Sequence, residues 1–261
     1  MLEFPPLYPP AVPPAWLSVL VPPGQGHAFD VPAPALGDDA AVGVRTWSPP
    51  GVPDGEPLPL LVVHDGPEYD SRAGLTHYLA AGIAGAWLPP LRAALLSPGR
   101  RDQWYSAHPA YARTLARAVL PAVTSRLAST ARIGMGASLG GLAMLHAYVR
   151  YPDTFGALFL QSGSYFTRQY DPMEEGFRYF RRIVAFVAGV QAGRLPSRPV
   201  TAVLTCGDLE ENLSNNRLLT QALRDHGYPA TLHEVPGGHD WPTWRDSLDP
   251  HLTGLLRLLR A

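Results

Sequence analysis

Short apolar runs of β-strand length recur along the chain and, from about residue 110 onward, alternate with longer segments of helical length. Several runs, including LPLLVV at 58–63 and TAVLTC at 201–206, are apolar on both faces, which is typical of strands covered by helices on either side. The pattern predicts strands at 16–21, 42–47, 58–64, 91–96, 132–135, 157–161, 200–206 and 231–235. It predicts helices at 110–127, 139–151, 177–191, 215–226 and 244–259.

This alternation predicts an α/β fold, in which a mostly parallel sheet of about eight strands carries helices on both faces. The opening strands have no helix between them, so we expect an antiparallel edge at the N-terminal end of the sheet. Residues 1–14 are predicted to form a proline-rich arm, since proline disfavours both helices and central strands. Residues 15–261 are expected to form a single domain with a cap-like insertion at about 162–199.

Composition narrows the function classes. The net charge of −1 provides no field to hold a polyanion, so we expect no nucleic-acid partner. A single cysteine excludes an internal disulfide framework and a cysteine-based metal site. The chain has no apolar stretch long enough to span a membrane and no leader-like N-terminus, which predicts a cytoplasmic protein without a membrane partner. The oligomeric state cannot be inferred from these features.

The sharpest chemical motif is Gly-x-Ser-x-Gly around Ser138, between a predicted strand and a predicted helix. A nucleophilic serine is held on such a strained turn, and the small residues at Gly136 and Gly140 let the backbone segments cross. The turn also places the Leu139 N–H at a helix N-terminus, where it can bind an oxyanion. The alternatives are a glycine-rich helix entry and a dinucleotide loop, but the latter lacks an acidic residue after the next strand.

A serine needs a base, and His239 is the best placed of the nine histidines. It lies in the turn PGGHDW after the last predicted strand, where the third member of a Ser, acid, His order falls. The acid should follow the strand at 200–206, where Asp208, Glu210 and Glu211 compete. A metal site formed by the histidines at 226, 233 and 239 has no ligand-spacing signature, so no metal is expected.

Four segments together resemble a known family: HDGPEY at 64–69, GASLGG at 136–141, the Gly-x-x-Glu at 207–210 and GGHDWPTWR at 237–245. They are similar to the esterase family of α/β hydrolases, which includes enterochelin esterases, feruloyl esterases, S-formylglutathione hydrolases and mycolyltransferases. The stretch RRDQWYSAHPAY at 100–111 also resembles that family. The resemblance implies the α/β-hydrolase fold, Ser138 as nucleophile, His239 as general base, Glu210 as the orienting acid, and no cofactor.

One departure concerns the oxyanion hole. In relatives the residue after Asp-Gly in the loop following the third strand often donates a second N–H, and here that residue is Pro67, which has none. Either Glu68 donates instead, or the hole depends on Leu139 and a rearranged loop. The expected activity is serine carboxylic-ester hydrolysis. An acyltransferase with the same triad and a non-catalytic binding or scaffold relative are the alternatives.

The insertion at 162–199 is rich in aromatic and arginine side chains. The aromatic side chains can pack a cap helix against the domain, and the arginines can form its solvent-exposed face. They can also bind a small-molecule ester, because aromatic faces stack on rings and arginine pairs with phenolates. The resemblance favours an aryl ester or a catecholate siderophore trilactone as substrate. The candidate substrate-binding residues are Tyr165, Arg168 and, outside the insertion, Trp241.

Overall fold

A computed structural model describes residues 12–258 and contains one sheet of eight strands. The strands are β1 Ala28–Pro32, β2 Ala41–Trp47, β3 Leu58–Val63, β4 Arg92–Leu96, β5 Ser129–Ala137, β6 Ala157–Gln161, β7 Thr201–Gly207 and β8 Ala230–Val235. Their spatial order is β1-β2-β4-β3-β5-β6-β7-β8. The β1-β2 and β2-β4 pairs are antiparallel and the other five are parallel. The predicted fold class, with its antiparallel N-terminal edge, is therefore confirmed.

Helices cover both faces of this sheet. They are α1 Gly66–Ala73, α2 Leu75–Ala84, α3 Arg101–Tyr105, α4 Pro109–Thr114, α5 Leu120–Thr124, α6 Leu139–Arg150, α7 Phe180–Gln191, α8 Leu213–Asp225, α9 Trp241–Asp246 and α10 Thr253–Arg257. A π-helical turn, Leu115–Val119, joins α4 to α5, and another, Leu248–Leu252, precedes α10. Short 3₁₀ turns lie at Ala15–Ser18, Pro34–Leu36 and Pro172–Gly176.

Strand β3 is apolar on both faces, and each of its faces packs against a layer of helices. Leu60 and Val62 face a core layer with α6, α7 and α8, whereas Leu61 and Val63 face a second layer with α1, α2 and α10. Side chains alternate across a strand, so a strand that is apolar at every position must be covered twice. All four side chains are fully buried.

The parallel strands determine where the functional residues meet. The segments at 64–68, 138–141, 162–164, 208–212 and 236–240 follow β3, β5, β6, β7 and β8, which are consecutive in the sheet. Parallel strands end at a common edge, so these five turns line one side of the molecule, as the carboxyl-end rule for open α/β sheets requires.

Several predicted elements were wrong in type or extent. Instead of a strand at 16–21 the chain forms a 3₁₀ turn after two prolines, with Trp16 buried against Tyr78. The edge strand β1 was missed because it contains a charged residue and a proline in only five residues. Helices α1 and α2 were missed because the start of α1, Gly66-Pro67, has the composition of a turn. The proline-rich arm predicted at 1–14 lies outside the described residues, apart from 12–14.

The segment at 162–199 does not act as a cap throughout. Its second half contains α7, whose Ile183, Val187 and Val190 pack into the core layer beside the sheet. Only its first half, up to about residue 174, borders the cleft described below. Within residues 12–258, none of the helices has the length and apolar character needed to cross a lipid bilayer.

Candidate active site

Ser138 lies on a strained turn between β5 and α6. Its backbone angles, φ 56° and ψ −126°, belong to a region that residues with a side chain rarely occupy. The glycines on either side make the turn possible. A Cβ added at Gly136 would lie 2.5 Å from the Gly140 carbonyl carbon, and one at Gly140 would lie 3.0 Å from Asp65 Oδ2. The first distance is shorter than packed atoms tolerate, so Gly136 is sterically required. The second would force Asp65 to shift by a few tenths of an ångström, which also favours glycine at 140.

Three predicted residues meet at this turn in a hydrogen-bonded chain. Ser138 Oγ lies 3.0 Å from His239 Nε2, and His239 Nδ1 lies 2.7 Å from Glu210 Oε2. A carboxylate only accepts hydrogen bonds, so Nδ1 carries the proton and the Nε2 of a neutral imidazole is the acceptor. The Ser138 hydroxyl then donates to Nε2. This is the arrangement in which an imidazole can remove the serine proton.

The Glu210 carboxylate is buried, with no exposed side-chain surface. Besides His239, it accepts hydrogen bonds at Oε1 from the Ser162 hydroxyl at 2.6 Å and the Gly207 N–H at 2.8 Å. Burial acts to raise the pKa of Glu210, but the hydrogen bonds from His239, Ser162 and Gly207 outweigh it and hold the pKa below its usual value. The group is therefore ionised at neutral pH. Of the three competing acids, Glu210 is the one that contacts His239.

Ser162 and Trp244 hold this carboxylate in place. Ser162 has a left-handed backbone, φ 48°, and its hydroxyl accepts a hydrogen bond from Trp244 Nε1 at 2.9 Å while donating to Glu210. The Trp244 ring also packs edge-on against His239, with 5.2 Å between ring centroids. Trp244 therefore contacts the histidine directly and supports the acid through Ser162.

The two predicted oxyanion donors belong to the first turns of two helices. Leu139 is the first residue of α6, and Glu68 is in the first turn of α1, where backbone N–H groups have no partner inside the helix. The turn before α1 is held by Arg101, which donates two hydrogen bonds of 2.9 Å to the two carboxylate oxygens of Asp65. Asp65 itself has a left-handed backbone, φ 50°.

His64 lies buried beneath the turn and connects it to α6. A carbonyl only accepts, so His64 Nδ1 donates to Gly140 O at 2.9 Å, and Nε2 accepts from the Tyr111 hydroxyl at 2.9 Å. Burial lowers the pKa of His64 to about 4, which the hydrogen bond to Gly140 only partly offsets. At neutral pH the ring is uncharged, and it links the turn after β3 to the first turn of α6.

A cleft of about 280 Å³ opens over Ser138 and His239. Its other walls combine apolar and acidic side chains, and none of the described arginine residues lines it. The lining residues are Ser138, Ser164, Phe166, Tyr170, Asp171, Met173, Glu174, Glu210, Glu211, Asn212 and His239.

The three candidate substrate-binding residues do not line this cleft. Tyr165 is fully buried in the core, because the turn after Ser162 directs it inward and leaves its neighbour Ser164 facing the cleft. Arg168 is largely exposed, with Nη1 3.8 Å from Glu175 Oε1. Trp241 packs against the rings of Tyr69 and Trp244. The expectation for Tyr165 is wrong, since no substrate can reach it, and the other two lie outside the cleft.

One arginine of the insertion, Arg178, contributes to a different groove. It is shallow, lies beside α3 and shares no lining residue with the cleft. Its lining residues are Arg100, Arg101, Asp102, Gln103, Phe177, Arg178 and Tyr179.

Sequence reasoning missed the side chains that support Ser138, His239 and Glu210. Ser162, Asp65 and Arg101 have no periodicity that distinguishes them from ordinary turn residues, and their partners are distant in sequence. The signals present were the HDGPEY and RRDQWYSAHPAY segments, which contain His64, Asp65 and Arg101. The sequence pattern did not predict the acidic lining of the cleft. Asp171 and Glu174 come from the segment at 162–199, in which arginines outnumber acidic residues.

A family model described as "Putative esterase" matches residues 34–255. The chain belongs to this family. The resemblance inferred from its motifs is thereby confirmed.

The curated relatives are longer than this chain. The iron(III) enterobactin esterase of Escherichia coli (strain K12) is 30% identical over 124 residues, which are 47% of this chain and 28% of that protein. The iron(III) enterobactin esterase of Dickeya dadantii is 27% identical over 208 residues, 73% of this chain and 46% of that protein. The chain thus spans less than half the length of either relative.

Solved structures show the same fold. The enterobactin esterase of Shigella flexneri, crystallised in the presence of enterobactin, has a TM-score of 0.80 at 22% identity and covers 95% of this chain and 63% of that one. A ferulic acid esterase has a TM-score of 0.70 at 16% identity, covering 90% and 99%. An S-formylglutathione hydrolase from Staphylococcus aureus has a TM-score of 0.65 at 13% identity, covering 90% and 98%.

Buried His64 should make stability sensitive to acid. Its pKa is lower in the folded protein than in the unfolded chain, so the unfolded chain binds the extra proton and the free energy of unfolding falls as pH drops from about 6.5 towards 4. The loss approaches about 3 kcal/mol for this group. His64→Gln keeps a donor and an acceptor but does not titrate, so its urea-unfolding stability should fall less steeply with acid. Parallel curves for the two proteins would contradict this assignment.

Proposed function

We propose that the protein is a serine carboxylic-ester hydrolase in which Ser138 is the nucleophile, His239 the general base and Glu210 the acid that orients it. The observation that carries the proposal is the chain of contacts from Ser138 Oγ to His239 Nε2 at 3.0 Å and from Nδ1 to Glu210 at 2.7 Å. Its place on the strained turn of an esterase-family fold supports the assignment.

In the first half of the reaction Ser138 Oγ attacks the ester carbonyl carbon while its proton passes to His239 Nε2. The imidazolium is stabilised by the ionised, buried Glu210, which keeps the ring in the correct tautomer. When the tetrahedral intermediate collapses, the bond to the leaving oxygen breaks and that oxygen takes the proton from His239. Water then repeats the sequence on the acyl-enzyme and releases the carboxylic acid.

The negative oxygen of the intermediate is proposed to bind the N–H groups of Leu139 and Glu68. Both lie in first helical turns, where free N–H groups and the helix dipole favour negative charge. Pro67 provides no donor, which leaves Glu68 as the candidate in α1. The Arg101 fork on Asp65 holds this turn next to Gly140.

The cleft favours a small, uncharged ester over an anionic one. Phe166, Tyr170 and Met173 offer apolar and aromatic contacts for an acyl or aryl group, and the volume of about 280 Å³ is at the small end for ligand sites. Glu174 and Glu211 add negative charge beside the nucleophile. An aryl ester fits these properties.

A catecholate siderophore trilactone is the second candidate substrate. The curated relatives favour it, and the arginines of the groove beside α3 could bind catecholate oxygens. The iron(III) complex of such a ligand is a polyanion, however, and the acidic walls of the cleft would repel it. Acyl transfer to an alcohol would use the same triad and differ only in the acceptor.

The first test is Ser138→Ala. Removing the nucleophile should lower ester hydrolysis roughly 10,000-fold or more and abolish labelling by a fluorophosphonate. Alanine fits the turn, so the variant should unfold at the same urea concentration as the wild type within error. If the unmodified protein neither hydrolyses 4-nitrophenyl butanoate nor reacts with the fluorophosphonate, it is a non-catalytic binding or scaffold relative.

The second test compares the three acids that follow β7. Glu210→Gln should lower kcat by up to about 10,000-fold, because the amide no longer selects the tautomer that accepts the serine proton. Asp208→Asn and Glu211→Gln serve as matched variants and should each cost less than about tenfold, because Glu210 is the acid that accepts the described hydrogen bond from His239 Nδ1. Near-normal turnover in Glu210→Gln would refute its role.

The third test measures charge selectivity with two esters that share a leaving group. 4-Nitrophenyl butanoate is neutral, whereas mono-4-nitrophenyl succinate carries a terminal carboxylate. We expect a higher kcat/KM for the neutral ester, and the double variant Glu174→Gln/Glu211→Gln should narrow the ratio by about five- to tenfold. A wild-type preference for the succinate would favour the siderophore substrate. The double variant Asp38→Asn/Asp225→Asn also removes two negative charges, at exposed positions away from the cleft lining, and is the charge-matched control.

A further inference from the structure

Ser164 places a second hydroxyl next to the nucleophile. Its Oγ lies 3.1 Å from Ser138 Oγ, and its backbone N–H donates to Ser138 O at 3.2 Å. The side chain is 5% exposed, yet it lines the cleft. Among the described residues, Ser138 Oγ is its one side-chain hydrogen-bond partner. Packing of the core does not require a hydroxyl at this position.

The direction of this hydrogen bond follows from the rest of the chain. Glu210 can only accept, so His239 Nδ1 donates to it and Nε2 must accept from Ser138. The single proton of the Ser138 hydroxyl is therefore used. In the contact between the two serines Ser164 must be the donor, with its proton pointing at the nucleophilic oxygen.

The sheet order places Ser164 on the leaving-group side of Ser138. Glu68 follows β3, Ser138 follows β5 and Ser164 follows β6, and these three strands are neighbours in that order. The proposed oxyanion donor and Ser164 thus flank the nucleophile from opposite sides. His239 follows β8, on the same side as Ser164, and it is His239 that delivers the proton to the leaving oxygen.

We propose that Ser164 is a catalytic residue whose hydroxyl stabilises the departing alkoxy oxygen. Before attack it donates to Ser138 Oγ. Once that oxygen forms its bond to the carbonyl carbon it loses most of its basicity, and the Ser164 proton turns to the leaving oxygen on the same carbon. The carbon–oxygen bond breaks, the leaving oxygen takes its proton from His239 Nε2, and Ser164 keeps its own. This inference rests on the proposed ester hydrolysis.

The test uses two substrates with one acyl group, 4-nitrophenyl butanoate and ethyl butanoate. Ethoxide needs far more help to depart than 4-nitrophenolate, so Ser164→Ala should lower kcat/KM for the ethyl ester roughly tenfold more than for the nitrophenyl ester. For each ester, kcat/KM depends on the steps up to release of the alcohol. The ratio of kcat/KM between the two esters therefore reports how well the leaving oxygen is stabilised. Ser164→Thr keeps a hydroxyl and should restore most of the wild-type ratio.

The controls separate this role from a structural one. Ser125→Ala removes an exposed hydroxyl in the turn before β5, outside the cleft lining, where it donates to Ala122 O. This variant should leave both rates unchanged. Equal losses of Ser164→Ala on the two esters, or a ratio that Ser164→Thr does not restore, would overturn the proposal while ester hydrolysis itself stands. A wild-type protein that neither hydrolyses the nitrophenyl ester nor reacts with a fluorophosphonate removes both proposals together. Fluorophosphonate labelling of Ser164→Ala confirms that the variant is folded.

Discussion

The crossing of β5 and α6 at Ser138 is the constraint on which the rest of the site depends. Gly136 lets β5 approach the backbone of Gly140 within a distance that a Cβ atom would obstruct, and Ser138 between them has a strained conformation. In that conformation the hydroxyl lies within hydrogen-bond distance of His239 Nε2. His64 and the Asp65–Arg101 pair then hold the neighbouring turn against Gly140.

The acid is stabilised by hydrogen bonds and not by a cation. Glu210 has no exposed side-chain surface, and an ion in such a place is costly unless its oxygens are satisfied. Ser162, Gly207 and His239 provide three donors, and Trp244 fixes the hydroxyl of Ser162 in turn. Hydrogen bonds from neutral donors keep the carboxylate ionised while leaving the imidazole free to take up a proton.

Local sequence patterns predicted the fold and brought Ser138 and His239 forward as site residues, with Glu210 as one of three candidate acids. The strand, turn and helix around Ser138 are adjacent in sequence, and His239 was located by its turn after the last strand. The Glu210 contact needed the resemblance to separate it from Asp208 and Glu211. Tyr165 was wrongly expected at the substrate because a single residue's shift along a turn decides whether a side chain enters the core or the cleft. Tyr165 enters the core, whereas its immediate neighbour Ser164 faces the cleft.

Ser138 and His239 follow strands at different positions in the sheet, and this determines which of them is displaced first on heating. Ser138 follows the central strand β5, which is paired on both sides. His239 follows β8, which is an edge strand of the described sheet and pairs there with β7 alone. Edge elements open locally at lower free energy than central ones. Mild heating should therefore displace His239 while the turn at Ser138 is still intact, so that loss of activity precedes global unfolding and is reversed on cooling.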